Sequence, residues 1–586
     1  MIISDIKKKI VDFVRKVFNL PSDFDFEIEI PPEPKMGDLS ISCFKIAKYL
    51  GRPSAGPGGV NKIAAQIKSY WSPELKQIAE KAENVGPYLN FFLNKQAWFK
   101  TVCREILKEK DKFGNVNFGK GRKVLIEYSA PNTNKPQHLG HLRNDFLGRA
   151  LSNLFSAAGF KVTRINLIND RGIHICKSML AYQKWGEEKT PETENTKGDH
   201  FVGKYYVLFE QKAKKNPGLL DKAQKLVEKW EEGDAQTIAL WQKMNKWAID
   251  GINQTYKKIG VDFDYTYYES DIYNSGKKII LKALKKGLCY KREDGAIEID
   301  LAKDGLDKKV LLRANGTGVY ITQDIGLAKL KHKQFKPNKS IYVVASEQDY
   351  YFRALFKILE SFGFDWVRNC HHLSYGMVFL PEGKMKSREG KVIDADDIIS
   401  EMEQLAKGEI LKRTPNLSPI EISKRAEVIA LAALKFFFLK FTPGQDVHFD
   451  PQASLSFEGD TGPYIQYTYA RIQSIFKKSG LTGGLSDKVN YKVLGNEEEI
   501  KLLKLLFIYP DILRRSVNLE KNIYNPTYLC QYLLKIAQTF NEFYHRHPVL
   551  KAESDLKNAR LVLISSVAEV IKKGLSLLGI DVLIEM

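Results

Sequence analysis

The sequence predicts a multidomain α/β protein organised around a Rossmann-type domain with a parallel sheet. First, its 586 residues are too many for one hydrophobic core, and at about 150 residues per domain they suggest several. Second, apolar strands alternate with an amphipathic helix in the middle of the chain, as in a βαβ unit. Third, the C-terminal part is a series of amphipathic helical segments, which predicts an all-α domain.

Composition narrows the class of protein. With 44% hydrophobic and 27% charged residues the chain should fold, and no apolar run is long enough to span a membrane, so we expect a cytoplasmic location. The six cysteines are scattered without a CxxC pair, which indicates reduced thiols. A formal net charge of +20 fits a polyanionic partner, although a generally basic proteome gives the same value.

The predicted elements divide the chain into four parts. Residues 1–117 combine an amphipathic helix with the strand patterns FDFEIEI and GPYLNFFLN, which indicates a small α+β domain. Residues 118–400 form the Rossmann-type domain, interrupted by a polar, helical insertion at about 176–268. A helical connector at 401–455 leads to an all-α bundle at 456–586.

The Rossmann-type domain is predicted from four strands and one helix. KVLIEY is followed by a Ser/Pro/Asn-rich loop, a helix that begins near His138 and ends at Gly159, and the strand KVTRINLI. The segments IYVVA and LSYGMVF supply two later strands. Because ligands of parallel sheets lie at the carboxyl ends of the strands, the loop before His138 lies where a ligand is expected.

The stretch PNTNKPQHLGHLRND carries the chemistry of that loop. His138 and His141 share the first turn of the helix, where unpaired N–H groups and the helix dipole favour an anion such as phosphate. Gly140 has no Cβ and would let a flat adenine ring lie on the backbone. A metal site and two surface histidines are the alternatives, but Zn²⁺ usually needs a third ligand.

A second loop, LPEGKMKSREGKVI, follows the last strand and carries Lys384 and Ser387. Alone it could be a solvated turn. Paired with HLGH, it suits a nucleoside triphosphate, with one loop binding the nucleotide and the other neutralising pyrophosphate as it leaves.

Together these motifs resemble the two signatures of class I aminoacyl-tRNA synthetases, and more specifically the arginyl-tRNA synthetase family. IEYSAPNTNKPQHLGHLR is similar to the first motif of that family, and the similarity continues through RINLINDRG, YITQDIGLA, YVVASEQ and FEGDTGPYIQYTYARI. PPEPKMGDLS and GPYLNFFL resemble its extra amino-terminal domain.

The resemblance implies an activity and its partners. L-arginine would be activated by ATP, as its Mg²⁺ complex, to arginyl-adenylate and then transferred to the 3′ end of tRNA(Arg) for protein synthesis. Family members characteristically bind tRNA before they activate the amino acid, and they tend to act as monomers. The resemblance implies no tightly bound protein metal.

A planar guanidinium calls for a fixed carboxylate, which Asp324 can supply, and Tyr320 precedes it by four residues. The alternative is that Asp324 only stabilises a helix N-terminus that Thr322 caps. The resemblance implies arginine binding by Glu127, Ser129, Asn132, His141, Tyr320, Asp324 and Gln348.

The second loop departs from the family pattern, because KMKSR places Ser387 where a second lysine is usual. Lys135, three residues before His138, is predicted to take over the missing role; Lys386 is the other candidate. The predicted catalytic residues are Lys135, His138, His141, Lys384 and Ser387, and the predicted ATP-binding residues are His138, Gly140, His141, Met377, Val378 and Lys384.

The predicted tRNA contacts are Tyr464 and Arg471 in the C-terminal domain, where aromatic and basic groups suit unstacked bases, and Asn90 and Phe91 in the N-terminal domain. Aromatic residues at helical spacing also fit a hydrophobic core. Competing functions are a small nucleotidyltransferase, which would leave the helical C-terminus unexplained, and a non-catalytic RNA-binding relative. A synthetase for glutamate or glutamine would want a cation where this chain has Asp324.

Overall fold

A computed structural model describes residues 3–22, 24, 26, 28–31, 34–52, 59–69, 79–380, 383–384, 393–480 and 489–586. The helices are α1 (Ile3–Phe18), α2 (Phe44–Tyr49), α3 (Val60–Ser69), α4 (Lys95–Glu109), α5 (Leu139–Ala157), α6 (Ile173–Trp185), α7 (Gly198–Lys215), α8 (Gly218–Glu232), α9 (Ala235–Ile259), α10 (Glu269–Ile272), α11 (Lys277–Lys285), α12 (Tyr320–Phe335), α13 (Asp349–Ser361), α14 (Ala395–Arg413), α15 (Pro419–Leu439), α16 (Pro451–Ser454), α17 (Gly462–Ser479), α18 (Glu497–Ser516), α19 (Thr527–Arg546) and α20 (Ser554–Leu577). The strands are β1 (Ile28–Glu29), β2 (Leu39–Ser42), β3 (Ala79–Val85), β4 (Tyr88–Leu93), β5 (Lys123–Glu127), β6 (Lys161–Ile168), β7 (Tyr265–Tyr268), β8 (Tyr290–Lys291), β9 (Ile297–Ile299), β10 (Lys309–Leu312), β11 (Lys339–Ala345), β12 (Cys370–Tyr375), β13 (Val378–Leu380), β14 (Gly383–Lys384), β15 (Val447–His448), β16 (Val517–Asn518) and β17 (Ile523–Tyr524).

The central sheet has the order β12-β11-β5-β6-β7, and all its strands are parallel. The chain leaves β5 toward β6 on one side and returns to β11 on the other. This reversal makes the carboxyl ends of β5 and β11 a topological switch point, where open α/β sheets bind their ligands. We call the space beyond these two strand ends the crevice.

Helix α5 joins β5 to β6 and confirms the predicted βαβ unit. Its apolar side is buried, including Leu139, Leu142 and Phe146, and Gly159 follows its end with a positive φ of +83°. Because the helix is packed on the sheet, its first turn has a fixed direction toward the crevice.

The segment LSYGMVF was predicted as one strand, and that prediction is wrong. β12 ends at Tyr375, and β13 begins at Val378 in another sheet with β14 and β15. The buried Arg143 guanidinium explains the break, because it donates to the carbonyl oxygens of Gly376 at 2.7 Å and Met377 at 3.2 Å. Carbonyl groups turned toward this cation do not continue the strand ladder.

The insertion is also shorter than predicted. Helices α6 to α9 lie between β6 and β7, whereas the last residues of the predicted 176–268 segment form β7, the edge strand of the central sheet. The short sequence YTYY carries no turn signal that would have separated it from the helical pattern before it.

The N-terminal domain contains an antiparallel sheet of order β1-β2-β4-β3, and it packs on α18 of the C-terminal domain. Lys504 of α18 donates to the carbonyl oxygen of Gly37 at 2.8 Å, and Phe507 meets Trp98 edge to face. The C-terminal helices also reach the back of α5, where Asn153 donates to the carbonyl oxygen of Leu577 at 3.2 Å. Within the described ranges, no helix has both the length and the apolar character that crossing a membrane requires.

Candidate active site

The first turn of α5 is held by a reciprocal cap made of its two histidines. His138 is the N-cap residue, and its Nδ1 accepts a hydrogen bond from the N–H of Gly140 at 3.1 Å. In return, Nδ1 of His141 accepts from the N–H of His138 at 3.0 Å. Because each Nδ1 is an acceptor, each neutral ring carries its proton on Nε2. The turn therefore offers two imidazole Nε2–H donors.

Burial keeps these rings neutral. It lowers the pKa of His138 to about 4, with a further contribution from the Lys135 charge, and it lowers the pKa of His141 well below the usual range. Their ring centroids are only 3.8 Å apart, which also opposes double protonation. Burial lowers the pKa of Lys135 as well, while the Asp394 carboxylate opposes that change.

The chain that follows the second signature loop returns to this turn. His138 and Asp394 form an antiparallel bridge, the N–H of Leu139 donates to Ile393 O at 3.2 Å, and Ala395 N donates to Gln137 O at 2.9 Å. Of the loop itself, Ser387 and Lys386 lie outside the described residues, and for Lys384 only the backbone, in β14, is described. The two signature segments therefore meet through their backbones.

Behind the turn, Ser129 has a positive φ of +62° and is buried. Its N–H donates to Asn144 Oδ1 at 2.6 Å, and its Oγ lies 2.7 Å from the Tyr256 hydroxyl. This places the predicted Ser129 side chain inside the protein, where it fixes the loop. The neighbouring Asn132 is partly exposed and forms a bridge with Asn169 beyond the end of β6.

Asp324 lies on the second turn of α12 and accepts a hydrogen bond from the Tyr351 hydroxyl of α13. Burial raises the pKa of Asp324 to about 6, while the Tyr351 bond and the charge of Lys331 oppose the rise. As expected, Thr322 takes part in the cap of this helix, where its Oγ1 accepts from Val319 N at 2.8 Å, and both roles considered for Asp324 stay predictions.

Two further predicted residues lie near the surface on either side of Asp324. Tyr320 is 70% exposed at the start of α12, four residues before Asp324 and on the same helix face. Gln348 is exposed at the end of the short helix that follows β11, three residues before Tyr351.

Glu127 ends β5 and forms an ion pair with the buried Lys331 of α12. A second acid, Glu269, is buried at the end of β7, and burial raises its pKa to about 7; Arg171 opposes this, whereas the Asp170 and Asp324 charges add to it. No local sequence pattern identified Tyr351, Lys331 or Glu269 as site residues, because their partners lie on distant elements.

Arg143, the last residue of the HLGHLR motif, fixes the distant segment that contains Met377 and Val378. Besides its bonds to Gly376 and Met377, the guanidinium donates to the carbonyl oxygen of Gln445 at 2.7 Å. The Met377 N–H donates to Asp446 Oδ1 at 2.6 Å. Arg143, two residues after His141, is therefore a structural partner of the predicted adenine-side segment.

One group of side chains in the described ranges has the ligand spacing of a cation site. Ligand atoms of Asp199, His200 and Asp396 lie within 4.8 Å of one another. However, Lys197 Nζ is 2.6 Å from Asp396 Oδ2 and 3.1 Å from Asp199 Oδ2, so an ammonium already neutralises these carboxylates. The arrangement gives no reason to assign a resident metal.

In the C-terminal domain, Tyr464 and Arg471 line a cavity of about 880 Å³ between the α14 region and helices α17 and α19. Both contact Asn541: Arg471 Nη1 donates to its Oδ1 at 2.7 Å, and its Nδ2 donates to the Tyr464 hydroxyl at 2.9 Å. The Arg471 guanidinium also stacks over Tyr467, 4.7 Å from the ring centroid.

The two N-terminal candidates are not brought to the surface. Asn90 is 3% exposed and its Oδ1 accepts from Ser40, while Phe91 is fully buried. Both lie on β4, which is flanked by β2 and β3. Their side chains pack within the domain, so a direct tRNA contact through either is not supported.

Comparison with known proteins matches three regions of the chain to family models. Residues 4–93 match the Arginyl tRNA synthetase N terminal domain, residues 102–450 match the catalytic domain of tRNA synthetases class I (R), and residues 465–586 match the DALR anticodon binding domain.

The full-length relatives decide the family. The chain is 45% identical to an arginine–tRNA ligase of Treponema denticola, covering 94% of this chain and 93% of the relative, and 41% identical to that of Borrelia hermsii across both chains. The chain belongs to the arginyl-tRNA synthetase family. The arginyl-tRNA synthetase structure from Thermus thermophilus superposes with a TM-score of 0.83 at 25% identity, covering 99% of this chain and all of that one.

Family membership confirms three predictions from the sequence: the fold class, the ligase activity of the arginyl-tRNA synthetase type and the resemblance itself. The predicted domain boundaries and individual site residues remain predictions.

Proposed function

We propose that this crevice catalyses the formation of arginyl-adenylate from L-arginine and Mg-ATP, and then transfer of the arginyl group to tRNA(Arg). The arginine carboxylate attacks the α-phosphate, and pyrophosphate leaves; the terminal hydroxyl of tRNA then attacks the arginyl carbonyl, and AMP leaves. The observation that carries the proposal is the Asp324 carboxyl group, held by Tyr351 beside the switch point that also presents the His138 turn.

The phosphate end uses the histidine turn and Lys135. His138 and His141 donate from Nε2 to phosphate oxygens, and the dipole of α5, whose N-terminus this turn forms, adds a positive potential. Gly140 adds no side chain to this turn, where a Cβ would lie 3.1 Å from the His138 ring, and Met377 and Val378 lie on the proposed adenine side. Lys135, together with Lys384 and Ser387 of the second loop, stabilises the charge that develops on pyrophosphate.

The arginine end uses Asp324 as the ionised partner of the guanidinium, flanked by Tyr320 and Gln348. Glu127 is neutralised by Lys331, so it contributes to the field around the pocket while Asp324 supplies the uncompensated charge. Ser129 shapes the loop from within, and Asn132 and His141 face the amino and carboxylate groups of the substrate. A neutral or cationic residue in place of Asp324 would instead suit an acidic or amide substrate.

The C-terminal cavity is proposed to accept an unstacked base of the tRNA anticodon. Tyr467 and Arg471 give stacking surfaces, and Tyr464 and Asn541 give donors and acceptors at its wall. The active unit is proposed to be a monomer. Its role in protein synthesis supports a cytoplasmic location.

The direct test is ATP–pyrophosphate exchange with each of the twenty amino acids, with and without total tRNA. We expect exchange with arginine alone, and only when tRNA is present. Exchange with another amino acid would show that the pocket around Asp324 was misassigned, and no exchange with any would support a non-catalytic RNA-binding protein.

A further inference from the structure

Helix α7 of the insertion contacts the loop that carries Lys135. A Cβ placed on Gly203 of α7 would lie 2.9 Å from Pro136 Cδ and 3.5 Å from Lys135 Cα, so the helix backbone and the loop touch with no space for a side chain. The insertion therefore supports the phosphate end of the crevice directly.

The first turn of α7 also holds the segment after the second signature loop. His200 Nε2 lies 2.9 Å from Asp396 Oδ2, and His200 Nδ1 lies 3.6 Å from Asp394 Oδ2. Lys197 binds the same Asp396 oxygen. Since Asp394 pairs with the backbone of His138, these contacts link the insertion to the histidine turn.

The charges around His200 favour its protonated form. The hydrogen bond to Asp396 raises the pKa of His200 against the effect of burial, and the charges of Asp199, Asp396 and Asp394 add to the rise. Burial would raise the pKa of Asp396, but the bonds from His200 and Lys197 outweigh it and lower that pKa well below the usual range.

Asp394 lies 3.6 Å from His200 and is within electrostatic influence of Lys135. It lies beside His200 on the α7 side, and its negative charge also acts on Lys135 on the crevice side. A carboxylate that paired fully with Lys135 would remove the ammonium from the phosphates, because a strong ion pair must be broken before the lysine can bind another anion.

We propose that His200 is a positioning residue for adenylate formation, which holds the Asp394 carboxylate on the α7 side and so leaves the Lys135 ammonium available to pyrophosphate. This inference rests on the proposed function of Lys135. His200 acts only through Asp394 and Asp396 and contacts no substrate.

The test is a set of variants assayed by arginine- and tRNA-dependent ATP–pyrophosphate exchange. His200→Ala is expected to lower kcat about tenfold, the size of one charge-assisted hydrogen bond, with the KM for arginine changed less than about twofold. Adding Asp394→Asn to this variant removes the competing carboxylate, and asparagine remains a good N-cap for α14. The double variant is therefore expected to recover most of the lost kcat.

His200→Gln provides a second starting variant if His200→Ala does not fold, since glutamine keeps a donor for Asp396 but carries no charge. Its kcat should lie between those of the wild type and His200→Ala, and Asp394→Asn should raise it. The matched control is Lys204→Ala, one turn further along α7, which removes an ion pair with Glu194 and a distant contact with the Tyr205 ring, and should leave kcat within about twofold.

Recovery in the double variant supports the positioning role. A double variant as slow as His200→Ala, or slower, overturns it, because His200 would then be only a structural support for the loop. An unchanged kcat in His200→Ala also overturns it. If the wild type itself shows no arginine-dependent exchange, the failure belongs to the proposed function of the crevice.

Discussion

The phosphate end of the crevice is built from backbone groups and neutral rings, whereas the guanidinium end is built from carboxyl groups on three separate elements. At the phosphate end, a capping pair within four residues fixes His138 and His141. At the guanidinium end, Asp324, Glu127 and Glu269 come from α12, β5 and α10. A local motif can hold donor groups and dipoles in place for an anion. The carboxyl groups that bind a cation are brought together from distant elements by the whole fold.

The largest expected effect comes from neutralising Asp324, which tests whether the two ends of the crevice bind their substrates independently. Asp324→Asn removes the uncompensated charge that the guanidinium needs, so kcat/KM for arginine should fall on the order of a thousandfold. The KM for ATP should change little, because the phosphate end contains no bond to Asp324. Steady-state exchange kinetics with each substrate varied would check this, and an equal loss for both substrates would mean that the two ends are not independent.

At the phosphate end, the corresponding change is Lys135→Ala. We expect kcat for adenylate formation to fall about a hundredfold, as for the loss of one preorganised charge donor, while Lys386→Ala costs less than about fivefold. Single-turnover formation of arginyl-adenylate measures the chemical step directly. Equal effects of the two substitutions would contradict the assignment of the missing lysine role to Lys135.

Removing the support of Asp324 should have a smaller effect. Tyr351→Phe deletes the hydroxyl that donates to Asp324, and the KM for arginine should rise about tenfold, the size of a hydrogen bond to a charged group. The loss of this donor should also raise the pKa of Asp324, which shifts the acidic limb of the pH profile upward. The matched control is Tyr350→Phe, at the preceding residue of α13, because the Tyr350 hydroxyl donates to Asp307 and not to Asp324.

The smallest expected effect is a difference in pH dependence between the KM for arginine and the KM for ATP. The pKa of Asp324 is raised to about 6 by burial, and arginine binds its ionised form, so binding is complete above this pKa and is lost as the pH falls through it. The KM for arginine should roughly double at pH 6 and rise about tenfold per unit below it. With the pKa of His138 lowered to about 4, the KM for ATP should show no histidine titration between about pH 5.5 and 8.

Because burial also raises the pKa of Glu269 to about 7, the pH profile needs an assignment control. Glu269→Gln should leave a transition near pH 6 in the KM for arginine. Its disappearance in that variant would transfer the titration, and with it the main role in guanidinium binding, to Glu269.

The sequence predicted those features that depend on neighbours along the chain. The strands KVLIEY and KVTRINLI, the start of α5 at the histidines and its end at Gly159 all follow from local periodicity and caps. Relations between distant segments were not predictable. Arg143 interrupts the strand pattern of LSYGMVF through contacts more than two hundred residues away, and nothing in the spacing of LSYGMVF indicates that cation.

The same limit applies to the site residues. Asp324 was identified from its motif, but its partner Tyr351 lies on the following helix, and Glu127 is neutralised by Lys331, which is 204 residues away. Asn90 and Phe91 were predicted to contact tRNA, but both are buried. The sequence YLNFFL does not reveal that this strand lies inside the sheet, with a strand on each side. Burial of a given side chain is a property of the assembled sheet.

A crystal structure with L-arginine and a non-hydrolysable ATP analogue would test the division of the crevice most directly. We expect the guanidinium within hydrogen-bond distance, about 2.7–3.2 Å, of the Asp324 carboxylate, and phosphate oxygens at that distance from Nε2 of His138 and His141. A guanidinium bound to Glu127 or Glu269 while Asp324 stays with Tyr351, or a triphosphate away from the histidine turn, would contradict the account.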